Sequence, residues 1–272
     1  MPVPSSICNA CAMHVIVITN RKGGTAKTTV AVNLAAELAA RQLRVLLIDL
    51  DSQGHCAVGL GVRVEGASRT VHHLFRDPSA RLADVIQETT VSNLSIAPAD
   101  TLFNHGQGEG NDLRLKQAMA DADLALRFDI VIIDTPPSLD ALLMNALHAG
   151  TRVMVPYVPH HLSFEGVRQL VRVLFPIMTG PNRALKVLGF LPTMASDSFR
   201  LHRSVNAAAA GDFGADRLLP AIRNDIKLSE AMGAGRPIRQ FAPSSRGAQD
   251  FAGLADEVLR RLEMPQPSAA VG

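Results

Sequence analysis

The residues of this chain with the clearest chemical meaning are Arg21-Lys22-Gly23-Gly24-Thr25-Ala26-Lys27-Thr28-Thr29. Two adjacent glycines followed by a lysine and two hydroxyls suit a phosphate-binding loop. Glycines let backbone N–H groups approach phosphate oxygens, and a helix starting there adds the positive end of its dipole. The strict pattern G-x-x-x-x-G-K-[ST] is not met, because Arg21 and Ala26 stand at its two glycine positions. The bland alternative is a glycine-containing turn between a strand and a helix. K-G-G-x-A-K-T-T in that setting is far more specific than a lone glycine turn. A second residue of interest is Asp134, which ends the apolar run FDIVIID. An unpaired carboxylate at the end of a buried strand is costly.

Elements must exist to hold these groups. Residues 14–19 (HVIVIT) read as a buried strand, and 27–41 as a helix with Val30, Leu34 and Leu38 on one face. Residues 44–49, 93–97, 128–134, 152–155, 185–191 and 217–222 read as further strands. Between 62 and 127 the pattern is weak, with short helices around the one strand at 93–97. The last helix, about 247–262, spaces Phe251, Leu254, Ala255, Val258, Leu259 and Leu262 by three and four, a stripe that packs on a core. Strands alternating with helices imply an α/β fold: a doubly wound, mostly parallel sheet with helices on both faces. No linker, charge block or repeat divides the chain. The expected layout is a disordered extension over 1–12, one domain over 13–262 and a disordered tail over 263–272.

Several motifs in order resemble the ParA/MinD family of deviant Walker A ATPases, in its Soj-like ParA branch. The family loop K-G-G-x-[GA]-K-T-T matches residues 22–29. Its D-x-D-P-Q-G motif is similar to Asp49-Leu50-Asp51-Ser52-Gln53-Gly54, with Ser52 in place of proline. Its D-x-P-P-S motif matches Asp134-Thr135-Pro136-Pro137-Ser138, and its E-G-x-x-Q-L matches residues 165–170. The branch's R-N-x-x-x-L-S-E-A, G-x-P-I and S-R-G-A strings match at 223–231, 235–238 and 245–248. The resemblance runs from about 14 to 262.

The resemblance implies an ATP hydrolase that uses Mg²⁺. The backbone of Gly23, Gly24, Thr25, Ala26, Lys27, Thr28 and Thr29 would cradle the phosphates. Lys27 would hold the β- and γ-phosphates as a point charge. Thr28 would offer its hydroxyl to Mg²⁺, and Asp134 would reach the same ion through water. Asp51 resembles the residue that orients the attacking water, with Asp49 the weaker candidate. Lys22 matches the signature lysine that crosses a dimer to the other subunit's nucleotide, acting as an arginine finger does. The adenine pocket would be lined at Ile222 and Asn224; Ile222 stands where the family often has proline. Lys227, Arg200, Arg203 and Arg246 match or lie near basic positions that bind DNA in ParA proteins. Further basic residues of this region include Arg236, Arg239, Arg260 and Arg261, and scattered solvated arginines are the plain alternative for any one of them.

Composition narrows the partners. The chain has 272 residues, 47% hydrophobic and 19% charged, as in an ordinary globular protein. Net charge is +2, so nucleic-acid affinity has to come from local clustering. No apolar run is long enough for a membrane span, and the first residues lack a secretion signal. The expected setting is cytoplasmic and nucleoid-associated. Cys8 and Cys11 form a C-x-x-C followed by His14, but a zinc site needs a second pair, and His55-Cys56 is a poor substitute. Unpaired thiols are the expectation. By resemblance, three functions compete. The first is a DNA-based positioning ATPase: an ATP-dependent homodimer on non-specific nucleoid DNA, with a ParB-like or cargo adaptor partner. The second is a MinD-like membrane ATPase, which needs a basic amphipathic C-terminal helix; the last ten residues, EMPQPSAAVG, carry no basic residue. The third is a redox enzyme of the nitrogenase iron-protein kind, which needs cysteines after Cys56, and there are none.

Overall fold

The computed structural model describes residues 13–104, 111–196 and 198–264. The expected N-terminal extension with Cys8 and Cys11, and the tail from residue 265 onward, lie outside the described residues. Seven strands form one sheet: β1 (His14–Ile18), β2 (Val45–Asp49), β3 (Gln87–Glu88), β4 (Leu94–Ala97), β5 (Ile130–Asp134), β6 (Arg152–Tyr157) and β7 (Lys186–Pro192). Their order is β3-β4-β2-β5-β1-β6-β7, and every pairing is parallel except β3 with β4. β2 and β5 are buried along their whole length. They sit mid-sheet with helices above and below, which is why they read as continuous apolar runs rather than alternating ones.

One sheet face is covered by α1 (Lys27–Ala40) and α2 (His55–Gly59). The other is covered by α3 (His73–Arg76), α4 (Leu82–Val85), α5 (Arg114–Met119), α6 (Ala122–Arg127), α7 (Ala141–Ala149), α8 (His161–Thr179) and α9 (Arg200–Phe213). The chain then returns to the first face with α10 (Ile226–Gly233), α11 (Ile238–Phe241) and α12 (Arg246–Arg261). Strand residues alternate between the two cores: Ile16 and Ile18 face α1 and α12, while Val15 and Val17 face α7 and α8. α12 starts where Ser245 accepts a hydrogen bond from the Ala248 N–H. Its stripe of Phe251, Leu254, Ala255, Val258 and Leu259 is almost wholly buried, each large side chain contributing roughly 1.5–3 kcal/mol.

Two boundaries differ from expectation. Residues 217–222 are not a strand. They run beside β7, with the Leu219 N–H donating to Phe190 O at 2.9 Å and the Ile222 N–H to Pro192 O at 2.8 Å. Between those bonds the segment advances three residues against two on β7, so the register slips around Pro220 and only isolated bridges form. At the C-terminus Met264, assigned to the tail, is buried against the first core, and its N–H donates to Leu259 O. The pattern from 62 to 127 also hid β3, whose two residues are too few to show a period.

The layout has a consequence for chemistry. β1 leads into α1 on one face, whereas its neighbour β5 leads into α7 on the other. The crevice beyond the carboxyl ends of these strands is a topological switch point, the usual ligand position in an open α/β sheet.

Candidate functional site: the phosphate loop and its carboxylates

The turn after β1 wraps the N-terminus of α1. Gly24 has φ 73°, and Ala26, just before the helix, has φ 63°. A left-handed alanine is uncommon and mildly strained. A Cβ added at Gly23 or Gly24 would meet nothing within 4 Å, so the loop opens outward. Ala26 has no side chain able to cap α1. The first intrahelical bond runs from the Val30 N–H to Ala26 O, which leaves the N–H groups of Lys27, Thr28 and Thr29 for an anion. Asn20 braces the start of the loop, accepting from the Lys22 N–H at 3.0 Å while donating to Pro156 O at 2.7 Å. Thr193, just past β7, donates to Thr25 O and ties down the far side.

Lys27 is buried at 6% exposure, and its Nζ donates to Lys22 O at 3.4 Å. Burial lowers its pKa, while Asp134 and Asp51 pull it back up. The sheet register sets Asp49 and Asp134 side by side at the ends of β2 and β5. Both are fully buried. Asp49 is fully engaged: Oδ1 accepts from the Asp51 N–H and Oδ2 from the Cys56 N–H, each at 3.1 Å. It is thus a clasp that shapes the loop from 49 to 56. Asp51 is half-buried and accepts from the Gln53 N–H. In Asp134, Oδ2 accepts from the Cys56 thiol at 3.4 Å, whereas Oδ1 is buried with no hydrogen-bond partner. Burial pushes Asp134 up to about 6, with the Thr28 hydroxyl and the Lys27 ammonium only partly holding it down. Asp49 is raised too, first by burial and then by Asp134.

This cluster has an excess of buried negative charge, and it ties stability to pH. A carboxyl whose folded pKa is raised stabilises the fold fully below its unfolded value near 3.8, and that contribution is lost as pH rises through about 6. Without a bound cation, Asp134→Asn should therefore be more stable than the native chain at pH 7.5, by roughly 2–3 kcal/mol. The two should converge towards pH 4. Thermal melts of both proteins from pH 4 to 8 in EDTA check this; an equal difference at every pH would contradict it.

Beside the loop a hollow is lined by Ala26, Thr29, Thr193, Ile222, Asn224 and Phe251. Here the structure brings Ile222 and Asn224 against the phosphate loop. Arg223 anchors that segment through an ion pair to Asp250 at 2.7 Å, and Asp225 accepts from the Gly247 N–H. The Ile238 N–H donates to Asn33 of α1 at 2.7 Å. The three C-terminal strings are thus fastened to one another or to the helix that follows the loop.

Comparison with known proteins places the architecture. A family model described as an AAA domain matches residues 13–187. The chromosome-partitioning ATPase Soj of Thermus thermophilus is 37% identical over 248 residues, covering 91% of this chain and 96% of that protein. The chromosome partitioning protein ParA of Myxococcus xanthus is 31% identical over 263 residues, covering 95% and 92%. The chain belongs to the ParA/MinD family, in its Soj-like branch. Among solved structures, MinD of Pyrococcus horikoshii complexed with Mg-ADP superposes with a TM-score of 0.75 at 27% identity, covering 90% of this chain and 96% of that one. A Mycobacterium smegmatis protein described as cobyrinic acid a,c-diamide synthase, with bound ATP analog and magnesium, gives 0.78 at 30% identity, covering 94% and 100%.

Within this ParA/MinD chain, Lys22 is exposed at the mouth of the loop. Lys227 and Arg246 line one shallow concavity together. Lys227 also pairs with Glu230 at 2.7 Å. Arg200 and Arg203 are exposed on α9, which packs on the other sheet face. Three other basic residues are committed to intramolecular pairs. Arg239 binds the buried Glu37, and Arg260 and Arg261 bind Glu257. Arg261 also donates to Leu188 O and Leu218 O, so it is part of the framework. Sequence reasoning missed Cys56 as a neighbour of Asp134; its only signal was its place two residues after the D-x-D-S-Q-G motif.

Proposed function

We propose that this chain is a ParA-type positioning ATPase that binds MgATP, dimerises on it and holds non-specific DNA until a ParB-like or adaptor partner stimulates hydrolysis. The observation that carries the reading is the buried, partnerless Oδ1 of Asp134 beside Lys27 and below an open loop with unsatisfied N–H groups. That arrangement fits a triphosphate with its cation. Lys27, the loop N–H groups and Thr28 would hold the phosphates and the ion, with Asp134 behind them. Mg²⁺, when bound, neutralises charge on the phosphates. Asp51 orients water, and Lys22 serves a facing subunit.

Dimerisation is supported by where large apolar side chains are exposed. Leu102, Leu139, Leu162, Met194 and Phe199 are exposed in the segments that follow the carboxyl ends of β4, β5, β6 and β7, as Lys22 follows β1. A second copy laid over these segments would cover them and bring Lys22 to the other nucleotide. DNA binding is supported by Lys227 with Arg246, and by Arg200 with Arg203, doubled in a dimer. Among the described residues no helix is long and apolar enough to cross a bilayer.

The test is fluorescence anisotropy with two unrelated duplexes, with and without ATP, across a salt series. Binding should need ATP, ignore sequence and weaken by about 500-fold between about 50 and 200 mM salt if roughly five phosphates are neutralised. Lys22→Gln should lose the ATP requirement's effect on DNA, and Lys227→Glu with Arg246→Glu should weaken both duplexes alike. No ATP-dependent binding at low salt, together with binding to liposomes, would favour the membrane reading.

A further inference from the structure

Cys56 is chemically out of place in a site built for a hard cation. Its thiol lies between the two buried carboxylates at the ends of β2 and β5. One ligand atom each from Asp49, Cys56 and Asp134 fall within 4.8 Å of one another, and all three residues are buried. The Cys56 Sγ and Asp134 Oδ2 are already 3.4 Å apart. Neighbouring ligands on a tetrahedral zinc-like ion stand roughly 3.5 Å apart, given bonds of about 2.0–2.3 Å. The cluster therefore needs only a small contraction to close on such an ion. The buried Oδ1 of Asp134, which the MgATP reading also uses, has no hydrogen-bond partner and can face a cation. The charge balance agrees: Lys27 is the cation that Asp134 and Asp51 act on, and Asp49 adds a further buried carboxylate beside Asp134.

We infer that Asp49, Cys56 and Asp134 form a site for a thiophilic divalent cation of the zinc class, whose occupancy competes with MgATP and switches the ATPase off. The inference rests on the MgATP reading of the same pocket. Magnesium prefers oxygen ligands and keeps its water, so it would meet Asp134 at a distance and gain nothing from a thiol. A zinc-class ion gains a thiolate bond, the thiol proton leaving to solvent as the metal–sulfur bond forms. Three protein ligands leave one position for water. The same ion takes both carboxylates directly and withdraws Asp134 from its role behind the phosphates. Cys56 lies on the short helix α2, and its N–H donates to Asp49, so its sulfur is fixed relative to both ligands.

Cadmium is the probe, because its bond to a thiolate gives an ultraviolet charge-transfer band that zinc does not show above the protein background. The full chain carries Cys8→Ser and Cys11→Ser, which removes the other thiols. Titration at pH 7.5 should give a band that saturates at one cadmium per chain. Cys56→Ser in that background should lose the band and weaken cadmium binding by calorimetry at least about tenfold. A saturating Mg–nucleotide analogue should raise the apparent Kd for cadmium at least about tenfold in the parent protein. Cadmium should suppress Mg-dependent hydrolysis in the parent more than in Cys56→Ser, read as the inhibited-to-uninhibited ratio within each protein. No band, or equal cadmium affinity with and without the thiol, overturns the inference while leaving the MgATP reading intact. If Cys56→Ser fails to fold, judged by circular dichroism, the competition experiment decides alone: a cadmium affinity indifferent to Mg–nucleotide overturns the inference. A parent protein that binds no Mg–nucleotide would instead strike at the MgATP reading itself.

Discussion

Lys27→Ala is expected to lower ATP affinity by a factor of about 1,000 or more. Lys27 is the buried cation that both Asp134 and Asp51 act on, and it sits at the N-terminus of α1 where phosphates would lie. Removing one partner of a buried charge pair costs roughly 3–5 kcal/mol. At 1.4 kcal/mol per tenfold, that is two to four orders of magnitude in binding. The loop N–H groups cannot compensate, because they already serve the phosphates. Lys22 is exposed at the mouth, outside the buried pocket, and does not replace the lost charge. The same change leaves Asp134 and Asp51 without that cation, so the melting temperature at pH 7.5 should also fall. Calorimetry with an ATP analogue and Mg²⁺ at pH 6.5, where Asp134 is partly neutral, separates the two effects. An affinity within threefold of the native chain would defeat the phosphate-loop assignment.

How much of this was legible in the sequence differs by element. β1, β2 and β5 announced themselves because burial on both faces leaves no room for polar residues, and the register of those strands brings Asp49 beside Asp134. α12 was legible because a single stripe faces the core across four turns. Residues 217–222 misled because their apolar content satisfies a strand pattern, whereas the register slip against β7 depends on backbone geometry that composition does not carry. Met264 was taken for tail because two prolines follow it, although its own side chain is apolar enough to close the core. At the site, the phosphate loop is local in sequence, and its residues lie together in one turn at the start of α1. The relation between Cys56 and Asp134 spans 78 positions and depends on sheet order, so no local pattern carries it. Likewise Arg239, Arg260 and Arg261 look like surface charge in sequence, and only their partners Glu37 and Glu257 show them to be structural.

Asp51→Ala should slow hydrolysis by about 100-fold or more without weakening ATP binding, the size of effect typical for losing a positioned acid–base or water-orienting group. The two acidic residues of the D-x-D motif can be told apart by their bonds. Asp49 spends both oxygens on the backbone of its own loop, so its removal frees two buried N–H groups and disorders the loop. Asp51 spends Oδ1 on the Gln53 N–H, an exposed turn worth about 1 kcal/mol. It is half-buried and close enough to Lys27 to raise its pKa. That places its carboxylate near the phosphates yet open to water, as an orienting group requires. The sign for binding follows from charge. ATP is an anion, and taking one carboxylate from beside it should leave affinity equal or somewhat higher. The variant should therefore accumulate an ATP-bound dimer that stays on DNA, whereas Asp49→Ala should lose stability first. Single-turnover hydrolysis, calorimetry and thermal melts on both variants distinguish these roles. Native-rate hydrolysis in Asp51→Ala, with a stable and inactive Asp49→Ala, would reverse the assignment.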